Sequence, residues 1–254
     1  MVKKKYDFII PIGWGCLNAY NLRKNKLQRE SLPFDWIWIS DIPQITNLIS
    51  SKFQNFMKKD NLQFVRHNGD ADIYRDISTR IEYWHDFMIG EDFDKSYDKI
   101  YQKYQRRINR MFYHIKRSES VLWVRYLRIF PDKQKTDSEY MFEQQKDPYD
   151  TTIQEFADLQ KLYPDKKFDL LLIYTYDKPC ETKSYSLSDN INICEIYNSE
   201  DLGWKGDEKL ISSILKDYDL TFSSKIYYTV NSFIYKIRKL ILQLFSKTKY
   251  SLKK

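Results

Sequence analysis

Cys16 is the residue whose type and position best suit covalent chemistry. It follows a short apolar run at residues 6–12 and the segment Gly13-Trp14-Gly15, and a helical pattern begins directly after it. The first N–H groups of a helix have no intrahelical partner and carry partial positive charge, so a thiolate placed there is stabilised. Because the thiolate is the nucleophilic form of cysteine, the position predicts a nucleophile with a lowered pKa. The alternative is a small apolar residue packed where a strand meets a helix.

A cysteine nucleophile needs a base within hydrogen-bond reach, and the sequence offers three histidines. His85 ends an extended, aromatic-rich run and is the candidate base. His114 lies inside a long helical pattern and is expected at the surface, and His67 adjoins the Asn68-Gly69 turn and is expected in solvent. The alternative for His85 is a partly buried side chain that bonds a backbone carbonyl.

Two carboxylates compete to orient His85. Asp86 is its neighbour in sequence, but adjacent side chains on a strand point to opposite faces. That geometry favours Asp35, unless the strand has ended before Asp86, and Asp35 could instead cap a turn. The backbone N–H groups of Gly15 and Cys16 are the candidate oxyanion donors, in a turn that Gly13 opens.

Several short motifs resemble a bacterial and viral family described as papain-like cysteine peptidases. They are Gly13-Trp14-Gly15-Cys16, the Ala-x-x-Leu-Arg segment at 19–23, the Ser-x-Pro-Phe-Asp-Trp segment at 31–36, His85-Asp86-Phe87 and the arginine-rich segment at 106–112. The resemblance covers roughly residues 6–174. It implies a catalytic Cys–His pair and an α+β fold with the cysteine on a helix and the histidine on a separate sheet. Members often neighbour surface-polysaccharide genes, so it also implies a link to surface-polysaccharide metabolism.

Arg23, Arg106, Arg107 and Arg110 form the candidate anion-binding set. The planar guanidinium group suits phosphates and acidic sugars, and the last three residues recur along one helical pattern. The alternative is a solvated helix face with salt bridges. A phosphatase loop is not expected, because the spacing from Cys16 to Arg23 is one residue longer than the Cys-x5-Arg pattern.

Strand and helix patterns alternate along the chain and predict an α/β fold, a mostly parallel sheet with helices on both faces. The α+β papain-like fold is the alternative. Predicted strands are 6–12, 62–65, 73–74, 79–87, 121–126, 168–174 and 191–197, and 121–126 and 168–174 are expected at the centre. One predicted helix starts directly after Cys16, and four others span 42–57, 94–115, 153–163 and 207–218. Residues 179–189 are expected to be a polar loop. Residues 1–220 are predicted to form this domain, and 221–254 a separate basic helix.

Composition limits the class of protein. The net charge of +7 favours an anionic partner or surface, but no nucleic-acid motif is present and no nucleic acid is expected. Cys16, Cys180 and Cys194 have no metal-ligand spacing, so neither a metal nor a cofactor is expected. Reduced thiols, no signal peptide and no apolar stretch long enough to span a bilayer predict a cytoplasmic protein.

The C-terminal segment 225–254 reads as a basic amphipathic helix. Its apolar residues recur at helical spacing, namely Ile226, Val230, Phe233, Ile234, Ile237, Leu240, Ile241, Leu244 and Phe245. Its cations are Lys236, Arg238, Lys239, Lys247, Lys249, Lys253 and Lys254, and no acidic residue follows Asp219. The pattern predicts peripheral binding to an anionic membrane. The alternative is a helix docked on the core with a frayed basic end.

Together these features predict a thiol-dependent hydrolase or acyl transferase that acts on an amide, thioester or ester. The substrate class stays open between a small molecule, a glycan and a peptide. The alternative is a non-catalytic glycan- or nucleotide-sugar-binding module in which Cys16 only packs. A distance above about 8 Å between the Cys16 and His85 side chains favours that module, because proton transfer needs about 3 Å.

Overall fold

The computed structural model describes residues 2–13, 15–39, 43–129, 148–176, 179–197 and 200–251, so Trp14 and the predicted helix start at Ile42 lie outside it. The strands are β1 (Lys4–Tyr6), β2 (Phe8–Ile12), β3 (Ile37–Trp38), β4 (Leu62–Asn68), β5 (Ala71–Asp76), β6 (Glu82–Met88), β7 (Ser120–Ile129), β8 (Lys167–Tyr176), β9 (Lys183–Ser188), β10 (Ile191–Tyr197) and β11 (Tyr218–Leu220). The α-helices are α1 (Cys16–Lys24), α2 (Pro43–Ser50), α3 (Phe93–Arg117), α4 (Pro148–Leu162), α5 (Glu208–Leu215) and α6 (Phe222–Ser251). Short 3-10 turns occur at Lys59–Asn61 and Glu200–Lys205.

A five-stranded sheet in the order β2-β7-β8-β10-β9 forms the centre of the protein. The first four strands are parallel, and β9 runs antiparallel at the edge. This confirms the α/β prediction, with β7 and β8 inside the sheet. The polar loop expected at 179–189 is wrong, because β9 occupies much of it. All six β9 side chains are exposed, so the strand has no apolar pattern and is held by backbone pairing to β10.

Helices cover both faces of this sheet, as predicted. Alternate residues of β7 separate the faces, since Trp123 belongs to one apolar cluster and Val124 to the other. The helices that contribute to the Trp123 cluster are α2, α3 and α4, and strands of both sheets also contribute to it. The helices that contribute to the Val124 cluster are α1, α5 and the start of α6.

A second, antiparallel sheet carries β3, β6, β5 and β4 in that order. The hairpin predicted at Asn68-Gly69 is present, because β4 and β5 pair up to Asn68 and Ala71. Strand pairing then continues from β5 to β6, which contains His85. The sequence indicated β4, β5 and β6 but not β3, nor that these strands form a sheet separate from the parallel one.

Two predicted helices end earlier than expected. α2 stops at Ser50 instead of residue 57, because Lys52, Phe53 and Met57 take positive φ angles that no helix contains. α5 stops at Leu215 instead of residue 218, because the chain turns there to form β11, which pairs in parallel with β1.

α6 follows β11 directly. None of the helices in the described ranges combines the length and the apolar character that crossing a bilayer requires.

Candidate active site

Two glycines shape the turn that presents Cys16. Gly15 caps α1 with φ 68° and ψ −160°, a region that only glycine adopts readily. Gly13 has φ 63°, and a Cβ there would lie 3.1 Å from Arg125 Nη1 and 3.3 Å from the Ile39 carbonyl oxygen. The turn therefore needs glycine at both positions, and it places Cys16 as the first residue of α1.

The structure brings Cys16 and His85 together. Cys16 Sγ lies 3.6 Å from His85 Nε2, within the range of a sulfur hydrogen bond. The thiol comes from the start of α1 and the imidazole from β6 of the antiparallel sheet. The cysteine on a helix and the histidine on a separate sheet match the arrangement that the papain-like resemblance implied.

Burial raises the pKa of the Cys16 thiol, and the Cys16 N–H group opposes this effect only in part. The lowered pKa predicted from the helix N-terminus is therefore wrong. The reason is that loss of water around the sulfur penalises the charged form more than one N–H group favours it. Because a raised pKa favours the protonated thiol, a base has to accept its proton as the sulfur attacks, and His85 Nε2 lies at hydrogen-bond distance.

The Gly15 N–H, one of the two predicted oxyanion donors, already donates a hydrogen bond within the protein. The Gly15 N–H donates to the Ile37 carbonyl oxygen at 3.3 Å, which ties the turn to β3. Gly15 is therefore a turn residue and not an oxyanion donor. The Cys16 N–H stands at the N-terminus of α1, where the helix dipole favours developing negative charge.

Asp35 does not contact His85. Its carboxylate is fully buried and accepts hydrogen bonds from the Leu32 N–H at 2.9 Å, from Gln28 Nε2 at 2.8 Å and from Arg23. Burial raises the pKa of Asp35, and the Arg23 guanidinium acts in the opposite direction. The prediction that Asp35 orients His85 directly is wrong, because Arg23 occupies the carboxylate.

Asp35 and His85 are connected indirectly through Arg23 and Trp36. The Arg23 guanidinium lies over the Trp36 ring, 5.5 Å from its centroid. The same ring meets the His85 ring edge-on, with centroids 6.2 Å apart and planes at 88°. Arg23 also donates to Ser31 Oγ at 3.2 Å. Arg23 therefore packs on the Trp36 ring that contacts His85. The prediction that its guanidinium binds an external anion is not supported by these contacts.

Asp86 is also excluded as a direct partner of His85. Its carboxylate accepts a hydrogen bond from the Tyr104 hydroxyl at 2.7 Å and pairs with Lys103, both on α3. The β5–β6 pairing is irregular at His85 and Asp86, and the two side chains have different partners, Cys16 for His85 and α3 for Asp86. Asp86 thus attaches the antiparallel sheet to α3.

The predicted arginine stripe on α3 divides into separate roles. Arg106 is exposed, while Arg107 lies over the Tyr104 ring at 5.3 Å. Arg110 donates to the Ser31 carbonyl oxygen at 2.6 Å and pairs with Glu30. Arg107 and Arg110 face the protein and Arg110 holds the loop before Asp35, so the set does not form one anion-binding surface.

The other two histidines lie away from the thiol. His67 is exposed, as predicted, and bonds Asp72 at 2.6 Å. His114 is buried, so its predicted surface position is wrong. It stacks on Phe8 with ring centroids 4.7 Å apart and bonds Glu30 at 2.7 Å, because this side of α3 packs against β2.

Sequence reasoning missed the tryptophans around the pair. The Trp38 ring lies 3.5 Å from where a Cβ would stand on Gly15, and it stacks on Trp84 with centroids 5.5 Å apart. Arg66 lies over Trp84 at 4.9 Å. The signal was available in part, since Trp36 and Trp38 stand two residues apart directly after the Pro33-Phe34-Asp35 segment.

Metal ligation finds no support in the described ranges. They contain no group of three or more His, Cys, Asp and Glu side chains that could hold an ion. Cys16, Cys180 and Cys194 are all free thiols, with Cys180 exposed and Cys194 buried.

Residues 7–146 match a family described as "Putative papain-like cysteine peptidase (DUF1796)". The match covers more than half of the chain and includes Cys16, Asp35, His85 and Asp86. The chain belongs to this family. The family description supports a thiol hydrolase.

A curated relative is similar over part of its length. The chain is 29% identical over 137 residues to "Uncharacterized protein R408" of Acanthamoeba polyphaga mimivirus. The aligned part covers 46% of this chain and 60% of the relative. No solved structure matches the chain.

Proposed function

We propose that this protein is a thiol-dependent hydrolase or acyl transferase that forms an acyl-enzyme at Cys16. The observation that carries the proposal is the 3.6 Å separation of Cys16 Sγ and His85 Nε2. A thiol with a raised pKa attacks poorly by itself, so it requires a base at this distance.

In the first step Cys16 Sγ attacks the carbonyl carbon of an amide, thioester or ester, and His85 Nε2 takes the thiol proton. The carbonyl oxygen becomes an oxyanion next to the Cys16 N–H and the N-terminus of α1. The C–N, C–S or C–O bond then breaks, His85 returns the proton to the leaving group, and the acyl group stays on sulfur.

In the second step water or another nucleophile attacks the thioester. His85 accepts the nucleophile's proton and returns it to Cys16 Sγ as the C–S bond breaks. Water gives hydrolysis and an amine, thiol or alcohol gives acyl transfer. The proposed surface-polysaccharide link makes a sugar hydroxyl the first acceptor to compare with water.

p-Nitrophenyl acetate tests this proposal without a known substrate. We expect a burst of nitrophenolate and one acetyl group on Cys16, located by peptide mass mapping. Cys16→Ala should abolish both, and His85→Ala should slow acetylation roughly 10²–10⁴-fold near neutral pH, since that is the usual contribution of a general base. Adding a sugar alcohol as a second nucleophile distinguishes acyl transfer from hydrolysis.

Cys180→Ser is the matched control, because Cys180 is a free and exposed thiol far from His85 in sequence. It should leave the burst unchanged. Acetylation of Cys180 in native protein while Cys16 reacts only after denaturation would overturn the proposal. That result would favour the non-catalytic glycan- or nucleotide-sugar-binding module.

A further inference from the structure

α6 contacts the rest of the protein through one face of its first turns. Tyr228 is buried, and its ring lies 5.5 Å from the His114 ring. Ser224 Oγ donates to the Asp7 carbonyl oxygen at 2.7 Å. Ser224 and Tyr228 are one helical turn apart and mark the docked face of α6.

The apolar stripe of α6 lies on the opposite face. Residues two apart on a helix differ by roughly 200°, so Ile226 and Val230 point away from Tyr228. They are 47% and 49% exposed although they belong to the docked turns. The stripe continues along the helix with further exposed residues, namely Phe233, Ile234, Ile237, Leu240 and Ile241. We call these seven residues the outer stripe.

This arrangement excludes the simplest alternative for the apolar pattern. A helix that docks on its own domain buries its apolar face, yet Phe233 is 64% and Leu240 59% exposed. Monomeric proteins seldom expose such continuous apolar surface without using it. The docked face and the outer stripe are therefore different surfaces, and the outer stripe takes an external partner.

The charges beside the outer stripe indicate which kind of partner it binds. Lys236 and Arg238 flank Ile237 in sequence, and each lies about 100° around the helix from it, so cations border the outer stripe on both sides. No acidic residue follows Asp219. Pairing with α6 of a second copy would bring cations against cations, whereas helix pairs normally match opposite charges at these flanking positions. Anionic headgroups above an apolar layer satisfy both features.

We propose that α6 lies in the interface of an anionic lipid bilayer, with the outer stripe in the acyl boundary and the flanking cations at the headgroups. The docked face is turned away from the outer stripe, so the catalytic domain stands on the water side of the helix. The proposal does not depend on the chemistry at Cys16.

Co-sedimentation of the full chain with vesicles tests it. The protein should pellet with phosphatidylcholine–phosphatidylserine vesicles and hardly with phosphatidylcholine alone. Binding should weaken between about 0.1 M and 1 M salt, as the screening length falls from about 10 to 3 Å. Phe233→Ser with Ile237→Ser should raise the lipid concentration for half-binding roughly tenfold or more, because two large apolar side chains no longer enter the bilayer.

The control is Phe64→Ser with Leu187→Ser, which removes comparably exposed apolar side chains from β4 and β9 and should leave binding unchanged. Thermal unfolding of both double variants should match the parent. Unchanged vesicle binding by the α6 variant overturns the proposal, and so does a large loss of its stability, which assigns the stripe to the core. The proposal is also overturned if the parent protein is a dimer that does not bind vesicles and the α6 variant is a monomer. That result would identify a second copy as the partner of the outer stripe.

Discussion

Cys16 and His85 meet at 3.6 Å although 69 positions separate them in sequence. The thiol is fixed by a glycine turn of the parallel sheet, and the imidazole by a strand of the antiparallel sheet. Their contact therefore depends on how β3 links the two sheets, since Ile37 of β3 bonds both the Gly15 N–H and the β6 strand. Activity should respond to changes in this link as well as to changes in the two residues.

The pH dependence of alkylation reports the state of the thiol. Burial raises the pKa of Cys16, so the thiolate fraction is small at pH 7 and grows as the pH rises above the usual thiol value of about 8.5. We expect the iodoacetamide rate at Cys16 to keep rising above that pH, and His85→Ala to lower it at pH 7, where the thiol loses its base. A fast, flat rate from about pH 5 to 8 would indicate a preformed thiolate–imidazolium pair and contradict this prediction.

Gly15→Ala should impair chemistry more than stability. Its φ of 68° and ψ of −160° disfavour any Cβ, at a cost of about 1–3 kcal/mol, and relaxation of the turn moves Cys16. A displacement of about 1 Å can cost roughly 100-fold in rate, so acetylation by p-nitrophenyl acetate should fall by about that factor. Gly69→Ala is the control, because Gly69 also has a positive φ of 57° and a Cβ there meets no atom within 4 Å. It should cost about 1 kcal/mol in urea unfolding and leave acetylation unchanged.

Trp36 is predicted to be a positioning residue for His85. Its ring contacts both the Arg23 guanidinium, 5.5 Å from the ring centroid, and the imidazole, whose centroid is 6.2 Å away. Trp36→Leu should reduce the acetylation rate about tenfold and shift its pH profile, because the imidazole loses its edge-on contact. Trp36→Phe retains a ring and should recover much of the loss. Equal losses in both variants, with an unchanged pH profile, would show that Trp36 serves packing alone.

Local patterns predicted much of the parallel sheet because its strands are continuous apolar runs. β8, for example, is buried from Phe168 to Thr175 and read directly as a central strand. β9 could not be predicted in this way, since its exposed side chains carry no apolar signal and it is held by backbone hydrogen bonds. Periodicity reports side-chain burial and is silent about backbone pairing.

The site was predictable in its residue types but not in their partners. The order of residues identified Cys16 and His85, whereas the partner of Asp35 depended on where α1 places Arg23, seven residues after Cys16 in the sequence. The prediction of a lowered pKa for the Cys16 thiol failed for a similar reason. A helix N-terminus can be read from sequence, but the water that surrounds the sulfur is set by tertiary packing.

Asp86→Asn tests whether the carboxylate beside His85 is structural. Asp86 accepts from Tyr104 and pairs with Lys103, so the variant should lower the free energy of unfolding by about 1–3 kcal/mol. The acetylation rate and its pH profile should stay at parent values in the folded variant. Tyr104→Phe removes the hydroxyl that donates to Asp86, and it should likewise lower stability and leave acetylation at the parent rate. A loss of acetylation comparable to that of His85→Ala would return Asp86 to the catalytic set.

Asp7 should make the free energy of unfolding depend on pH in the acidic range. Burial alone raises the pKa of this carboxyl, but the N–H groups of Ser120 and Glu119 and the Thr221 hydroxyl together hold it below its ordinary value. These contacts, at 3.1, 3.0 and 2.9 Å, join the start of β2 to the starts of β7 and α6. A lowered pKa in the folded state stabilises the protein above about pH 4, and the gain is lost as the pH falls through the folded value.

Asp7→Asn should therefore cost about 1 kcal/mol in urea unfolding at pH 7, a modest value because the carboxylate is partly exposed. The difference from the parent should shrink at about pH 3, where the parent carboxyl is increasingly protonated. Asp158→Asn is the control, since Asp158 also has a lowered pKa, from its hydrogen bond with Lys161, but lies exposed on α4. Water can replace that contact, so this variant should unfold like the parent at both pH values. An Asp7→Asn deficit of the same size at pH 3 and pH 7 would show that the side chain acts by shape and not by charge.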